Sequence, residues 1–185
     1  MKSLNKIQMW ASQTPLVWET VEQEGVSWVK EKYIDKKYGE MAWIFKTAYA
    51  SFMHSMEQKV PRPDEAESPI WLYQDPSWTS ANAEGDLRCL LIPREEVLLF
   101  DLRKWSQVLN LELVGTEEER AAFERELNVQ GIRDGLDIFV TSYYPLLKRR
   151  IMKSWERIFD IEETEERYLQ GAVWCLKKEW IQRKV

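Results

Sequence analysis

Tyr38, Met41, Phe45, Tyr49, Phe52 and Met56 recur at three- and four-residue spacing. That period puts them on one face of a helix, so Lys36–Glu57 reads as a central amphipathic helix that needs an apolar surface to lie on. Trp43, Thr47 and His54 fall on its opposite face. Short apolar segments supply the surface. Lys6–Trp10, Val26–Lys30, Ile70–Tyr73, Leu87–Ile92 and Val97–Phe100 read as strands, the last two split by Pro93. Gly171–Val185 alternates β-branched and aromatic residues and reads as one or two closing strands.

Caps and breakers define the other helices. Pro15 fits a first helical position behind Ser12 or Thr14, Gly25 stops that helix, and Val17 and Val21 mark its inner face. Asp101 caps a helix with Leu102, Trp105 and Leu109 inward. Thr116–Glu119 is a capping box for a helix reaching Leu127, and Gly131 and Gly135 flank a turn. Tyr144, Leu147, Ile151, Trp155 and Ile158 line a last helix that begins near Pro145. Pro61–Pro69 reads as a loop, and Asp75–Asp86 as an exposed, mobile one. The expected architecture is one α+β domain over residues 1–185: a small mixed or antiparallel sheet with packed amphipathic helices, mostly helical from Asp101 to Phe159.

The chain carries 44% hydrophobic residues, enough for a full core, and ten Trp. Most of these indoles belong in that core, each needing a partner for its N–H, and a minority is left to line a site. The net charge of −5 argues against a general nucleic-acid binder. No apolar run approaches the ~20 residues of a membrane span, and Met1–Asn5 lacks the apolar core of a signal peptide, so a cytoplasmic location is expected.

Cys89 and Cys175 sit in apolar runs and read as reduced core thiols. His54 is the only histidine, which removes every two-histidine metal motif, and no zinc site is expected from one His and two distant Cys. His54 and Glu57 lie one helical turn apart, as in di-metal carboxylate helices, but the second copy that such a site needs is missing. There is no Walker loop, GxGxxG, CxxC pair or HExxH.

Two constellations remain. Trp10, Gln13, Trp71, Tyr73, Arg88, Asp101 and Trp105 all lie at strand edges or strand-to-helix junctions, where clefts form. Rings beside an Arg, an Asp and an amide suit a nucleotide or similar planar ligand. The competing account makes the rings core and the polar groups caps. The second constellation is basic: Arg149, Lys153 and Arg157, spaced four apart, form with Lys148 and Arg150 the one dense cationic patch. It suits phosphate, nucleic acid or an acidic protein face, or simply solvates a helix. Trp78, in the polar loop, is a candidate anchor for a protein partner.

Trp10-Ala-Ser-Gln13 with Val17-Trp18, Ala48-Tyr49 with Phe52-Met53, and Pro69-Ile70-Trp71-Leu72-Tyr73 resemble blocks of an uncharacterised bacterial family, domain of unknown function 3841. So do Ile92-Pro93 through Val97-Leu98-Leu99, Asp101, Trp105 and Val108-Leu109-Asn110, and Gln170-Gly171 with Trp174 and Leu176. The resemblance spans nearly the whole chain and implies boundaries rather than a mechanism. Ser106 stands where His is common in that family and Ala11 where Thr is usual, so a role resting on that His would be missing here. The order of elements is also similar to compact ADP-ribosyltransferase-like folds, which implies a cleft for NAD. The Arg or His of their first strand and the Glu of their late strand are not met, with Lys6 and Gln8 in the first place, and Gln170 with Glu179 further on in the second.

Two functions are therefore expected from different classes. One is a protein of ADP-ribosyltransferase-like shape that binds NAD or an ADP-ribose-like nucleotide, with its catalytic competence left open. The other is a non-catalytic interaction module, of the kind used in bacterial or phage conflict, docking through Trp78 or the basic patch.

Overall fold

The computed structural model describes residues 5–30, 39–81 and 85–182. Its centre is a five-stranded sheet built outward from β1 (Lys6–Gln13). β1 pairs with β4 (Asp86–Pro93) from Lys6↔Pro93 to Gln13↔Asp86, and with β3 (Ile70–Tyr73) at Trp10↔Tyr73. β3 pairs with β6 (Leu169–Val173), which pairs with β5 (Leu98–Asp101). The order is β4-β1-β3-β6-β5, every neighbour antiparallel. A separate ribbon joins β2 (Val26–Ser27) to β7 (Leu176–Lys177). The outer side of β4 is met by the end of the chain, through a Leu90↔Ile181 bridge and a Gln182 N–H donated to the Cys89 carbonyl (2.9 Å). The helices are α1 (Pro15–Glu24), α2 (Ala42–Glu57), α3 (Leu102–Leu109), α4 (Glu117–Val129), α5 (Asp137–Val140) and α6 (Pro145–Ser154).

Because strand side chains alternate, the sheet has two apolar faces. Met9, Ala11, Leu72, Leu90, Ile92, Leu99 and Val173 fill one, closed by Trp18 and Val21 of α1 and by Trp180. Trp71, Phe100 and Ala172 belong to the other, where α2 lays Phe52 and Met56 and α3 lays Trp105 and Val108. Several buried indoles find backbone partners: Trp18 donates to Asp86 O (2.8 Å), Trp155 to Glu112 O (2.8 Å) and Trp174 to Val60 O (2.9 Å). Trp180 is an exception, its buried N–H lacking any partner among the described residues while the Lys177 ammonium sits 5.1 Å above its ring.

The α+β class and the antiparallel alternative hold, and the differences are local. The inner face of α2 is Ile44, Ala48, Phe52 and Met56, whereas Met41 is 53% exposed and Phe45 half-buried. Gly39–Met41 is a 3₁₀ turn, so residues before Ala42 do not continue the α-helical rotation. Lys36, Lys37 and Tyr38 lie outside the described residues. Trp18 rather than Val17 is the buried partner of Val21, and Val108 rather than Leu109 that of Trp105. β1 runs on to Gln13 because β4 extends back to Asp86. The second strand stops at Ser27, leaving only an isolated Val29↔Ser68 bridge. Asp75–Asp86 is not simply a loop: Pro76–Ala81 is a 3₁₀ helix whose start is tied by Ser77 N–H to Asp75 Oδ1 (2.8 Å), and Asp86 opens β4.

Candidate functional site

The strand-to-helix junction at Asp101 organises a cleft of about 780 Å³. Asp101 is 1% exposed, and its carboxylate accepts from the backbone N–H groups of Arg103 (2.8 Å) and Lys104 (3.4 Å), an N-cap of α3. The Arg103 guanidinium (2.9 Å) and the Thr164 hydroxyl (2.9 Å) donate to its other oxygen. Burial pushes this carboxyl up, but the hydrogen bonds from Arg103 and Thr164 together outweigh it and hold it below its ordinary value. Lys104 Nζ donates to Asp160 O (2.6 Å). Thr164 and Asp160 thus pin the 160–164 segment against the start of α3, and this segment is one wall of the cleft.

Cations from separate elements face that space: Lys59 after α2, Arg94 after β4, Arg103 and Lys104 on α3, and Arg157 after α6. Arg157 pairs with Glu119 (2.8 Å) and Arg103 with Asp101. The other three have no carboxylate partner among the described residues. Arg94 donates to Val97 O (3.0 Å), Lys104 to the Asp160 carbonyl, and Lys59 sits 4.9 Å above the Phe159 ring. Exposed Asp160, Glu162 and Glu163 also line the cleft. A smaller cavity of about 350 Å³ lies among the segment after α3, α4, α5 and α6, where Leu111, Phe123, Leu127, Ile138 and Ile151 share the lining with polar residues such as Arg120 and Glu124.

The residues singled out from sequence separate into groups. Trp10, Tyr73, Gln170 and Phe100 are consecutive register partners, one row across the sheet on the face under α2. Trp71 and Trp105 share that face, their rings 5.4 Å apart within the core cluster. Arg88 is opposite Ala11 on the other face, its guanidinium 4.7 Å above the Trp18 ring and paired with Glu22 (2.8 Å). Alternation from Ala11 puts Gln13 on that face too. The set does not converge on one cavity, because neighbouring strand positions point to opposite faces, and of its members Asp101 alone lines the larger cleft.

The basic stripe also divides. α6 ends at Ser154, and Trp155–Phe159 is 3₁₀, so Arg157 turns away from the face of Arg149 and Lys153 and into the cleft. Trp78 is 42% exposed, yet its N–H donates to Arg167 O (2.6 Å) and its ring lies 6.0 Å from Tyr168. Lys59, Arg94 and Lys104 were not picked out from sequence, since single cations from separate segments carry no local pattern.

In the cleft the hydroxyl beside a carboxylate is that of Thr164, which donates to Asp101. His54 is exposed, hydrogen-bonded to the Gln58 amide (3.1 Å), and does not line the cleft. Burial pushes the Cys175 thiol up to about 11, and the Cys89 thiol is also raised by burial, so neither is a ready thiolate. Ser106 is exposed and donates to Leu102 O (3.1 Å). Among the described residues no three His, Cys, Asp or Glu side chains are grouped to hold a metal, and no helix is long and apolar enough to cross a membrane.

The protein is thus an antiparallel α+β domain with a cation-lined cleft at a strand-to-helix junction. Residues 8–182 match the family model described as domain of unknown function (DUF3841), and the chain belongs to that family. No curated protein and no solved structure matches, so the likeness to ADP-ribosyltransferase folds gains no support.

Proposed function

We propose that this protein binds an anionic nucleotide, with NAD and ADP-ribose as the first candidates, in the cleft beside Asp101. The observation that carries the proposal is the set of Lys59, Arg94 and Lys104, three cations facing one cavity without a carboxylate partner among the described residues. Cations so held, with Arg103 and Arg157 beside them, suit phosphate oxygens. Glu162 and Glu163, which also line the cleft, suit ribose hydroxyls, which donate to carboxylates. A volume of about 780 Å³ lies within the range of small-molecule sites. Binding is the activity assigned. The ADP-ribosyltransferase likeness adds nothing to this, so the choice of nucleotide rests on charge and hydroxyl chemistry alone.

Calorimetric titration with NAD and with ADP-ribose tests it. Saturable heat is expected with at least one ligand, weakening as salt rises and falling several-fold in Lys59→Gln/Lys104→Gln. No heat from either ligand at millimolar concentration, or equal affinity in the double variant, removes the proposal.

A further inference from the structure

A second surface lies outside that cleft, at the start of α6. Val140 is 68% exposed, Tyr143 81% and Leu146 79%, large apolar side chains placed close together in the chain. Leu146, Arg149 and Lys153 follow at three- and four-residue spacing, so they share one face of α6. Neighbouring cations are already engaged: Arg150 pairs with Glu126 (2.6 Å), Arg157 with Glu119 (2.8 Å), and Lys148 sits 5.4 Å from the Phe139 ring centre. Arg149 and Lys153 have no ion pair among the described residues. The face is therefore apolar at its start and positively charged at its end, on a chain of net charge −5.

We propose that this face docks an acidic segment of another protein, with an apolar side chain seated on Tyr143 and Leu146 and carboxylates meeting Arg149 and Lys153. Charge chooses the occupant. An apolar patch rimmed by charge marks an interaction site, and its unneutralised charge is positive, which calls for an acidic partner. Stable anchoring on an anionic bilayer takes two strong signals, where this face offers two cations without an ion pair among the described residues. A nucleic acid would use the cations and leave the apolar side chains without a role.

Zero-length carbodiimide coupling in a lysate of the native cell, followed by peptide mass spectrometry, reads the contact directly, because it joins an amine to a touching carboxylate. The expected product links Lys153 to an Asp or Glu of a different polypeptide. Tyr143→Ser/Leu146→Ser, at two exposed positions that leave the core untouched, should reduce that product at least about ten-fold. Absence of a Lys153 product overturns the proposal. So does a product insensitive to the double variant, or one joining only two copies of this chain. Binding of phosphatidylserine vesicles or duplex DNA that depends on Arg149 and Lys153, without an acidic polypeptide product, overturns it in favour of those surfaces.

Discussion

The two faces of the five-stranded sheet are filled by different chemistry. Under α1 the contacts are mainly aliphatic and close at Gly171, where an added Cβ would come within 2.9 Å of Val97 Cγ2 and 3.0 Å of Met9 Cε. Under α2 the contacts are rings. Phe52 has Trp71 at 4.9 Å, Phe100 at 5.1 Å, Trp105 at 5.2 Å and Phe159 at 5.4 Å, and the first three meet it edge-on. Aliphatic packing constrains volume. Edge-on rings also constrain orientation, since a positive ring edge seeks a negative face. The aromatic face reaches the cleft through Phe159, whose ring lies under Lys59, so the position of a cleft-lining cation depends on the packing around Phe52.

Substitutions at particular positions break or sharpen this contrast. Phe52→Ala should have the largest effect, costing about 3–5 kcal/mol in urea unfolding, because it removes the hub of the ring cluster. A cost under about 1.5 kcal/mol would mean that the rings close over the gap and orientation is not fixed. Gly171→Ala tests the opposite face, where overpacking should cost about 1–3 kcal/mol by the same measurement. Asp101→Asn, at the junction of β5 and α3, should cost about 1–2 kcal/mol at pH 7. Asp101 titrates below its ordinary value of 3.8 when folded, so its contribution is present above that value and lost as pH falls through the folded pKa. The stabilities of wild type and Asp101→Asn should converge in acid, and a constant gap across that range would exclude the ionised carboxylate as the cause. Met9→Leu should have the smallest effect, under about 1.5 kcal/mol, because it nearly conserves volume where volume is the constraint.

Much of the frame was readable in advance. Ile70–Tyr73 is the strand expected there, and Thr116 with Glu119 forms both arms of the capping box. Asp101 caps α3 as its spacing indicated, and Gly25 ends α1 at a φ of +84°. These features depend on side chains a few residues apart. The site was less readable. Trp10 and Arg88 come from adjacent strands one pleat out of phase, and only the pairing of Ala11 with Arg88 reveals that they face opposite ways. Arg157 kept a four-residue spacing from Lys153, but the change from α to 3₁₀ winding after Ser154 moved it to another surface. The cleft joins Lys59, Arg94 and Lys104 through folding alone.

The short segment after Trp180 has a consequence for solubility. The contacts of Ile181 and Gln182 with Leu90 and Cys89 occupy hydrogen-bonding groups on the outer margin of β4, a strand that continues through Leu91 and Ile92. A proteolytic cut after Trp180 would bare that margin, and an uncovered strand rich in Leu and Ile is a template on which other molecules stack. Clipped material should therefore form thioflavin-binding aggregates at concentrations where the intact chain stays clear, although of the described residues packed on the α1 face the cut removes only Ile181.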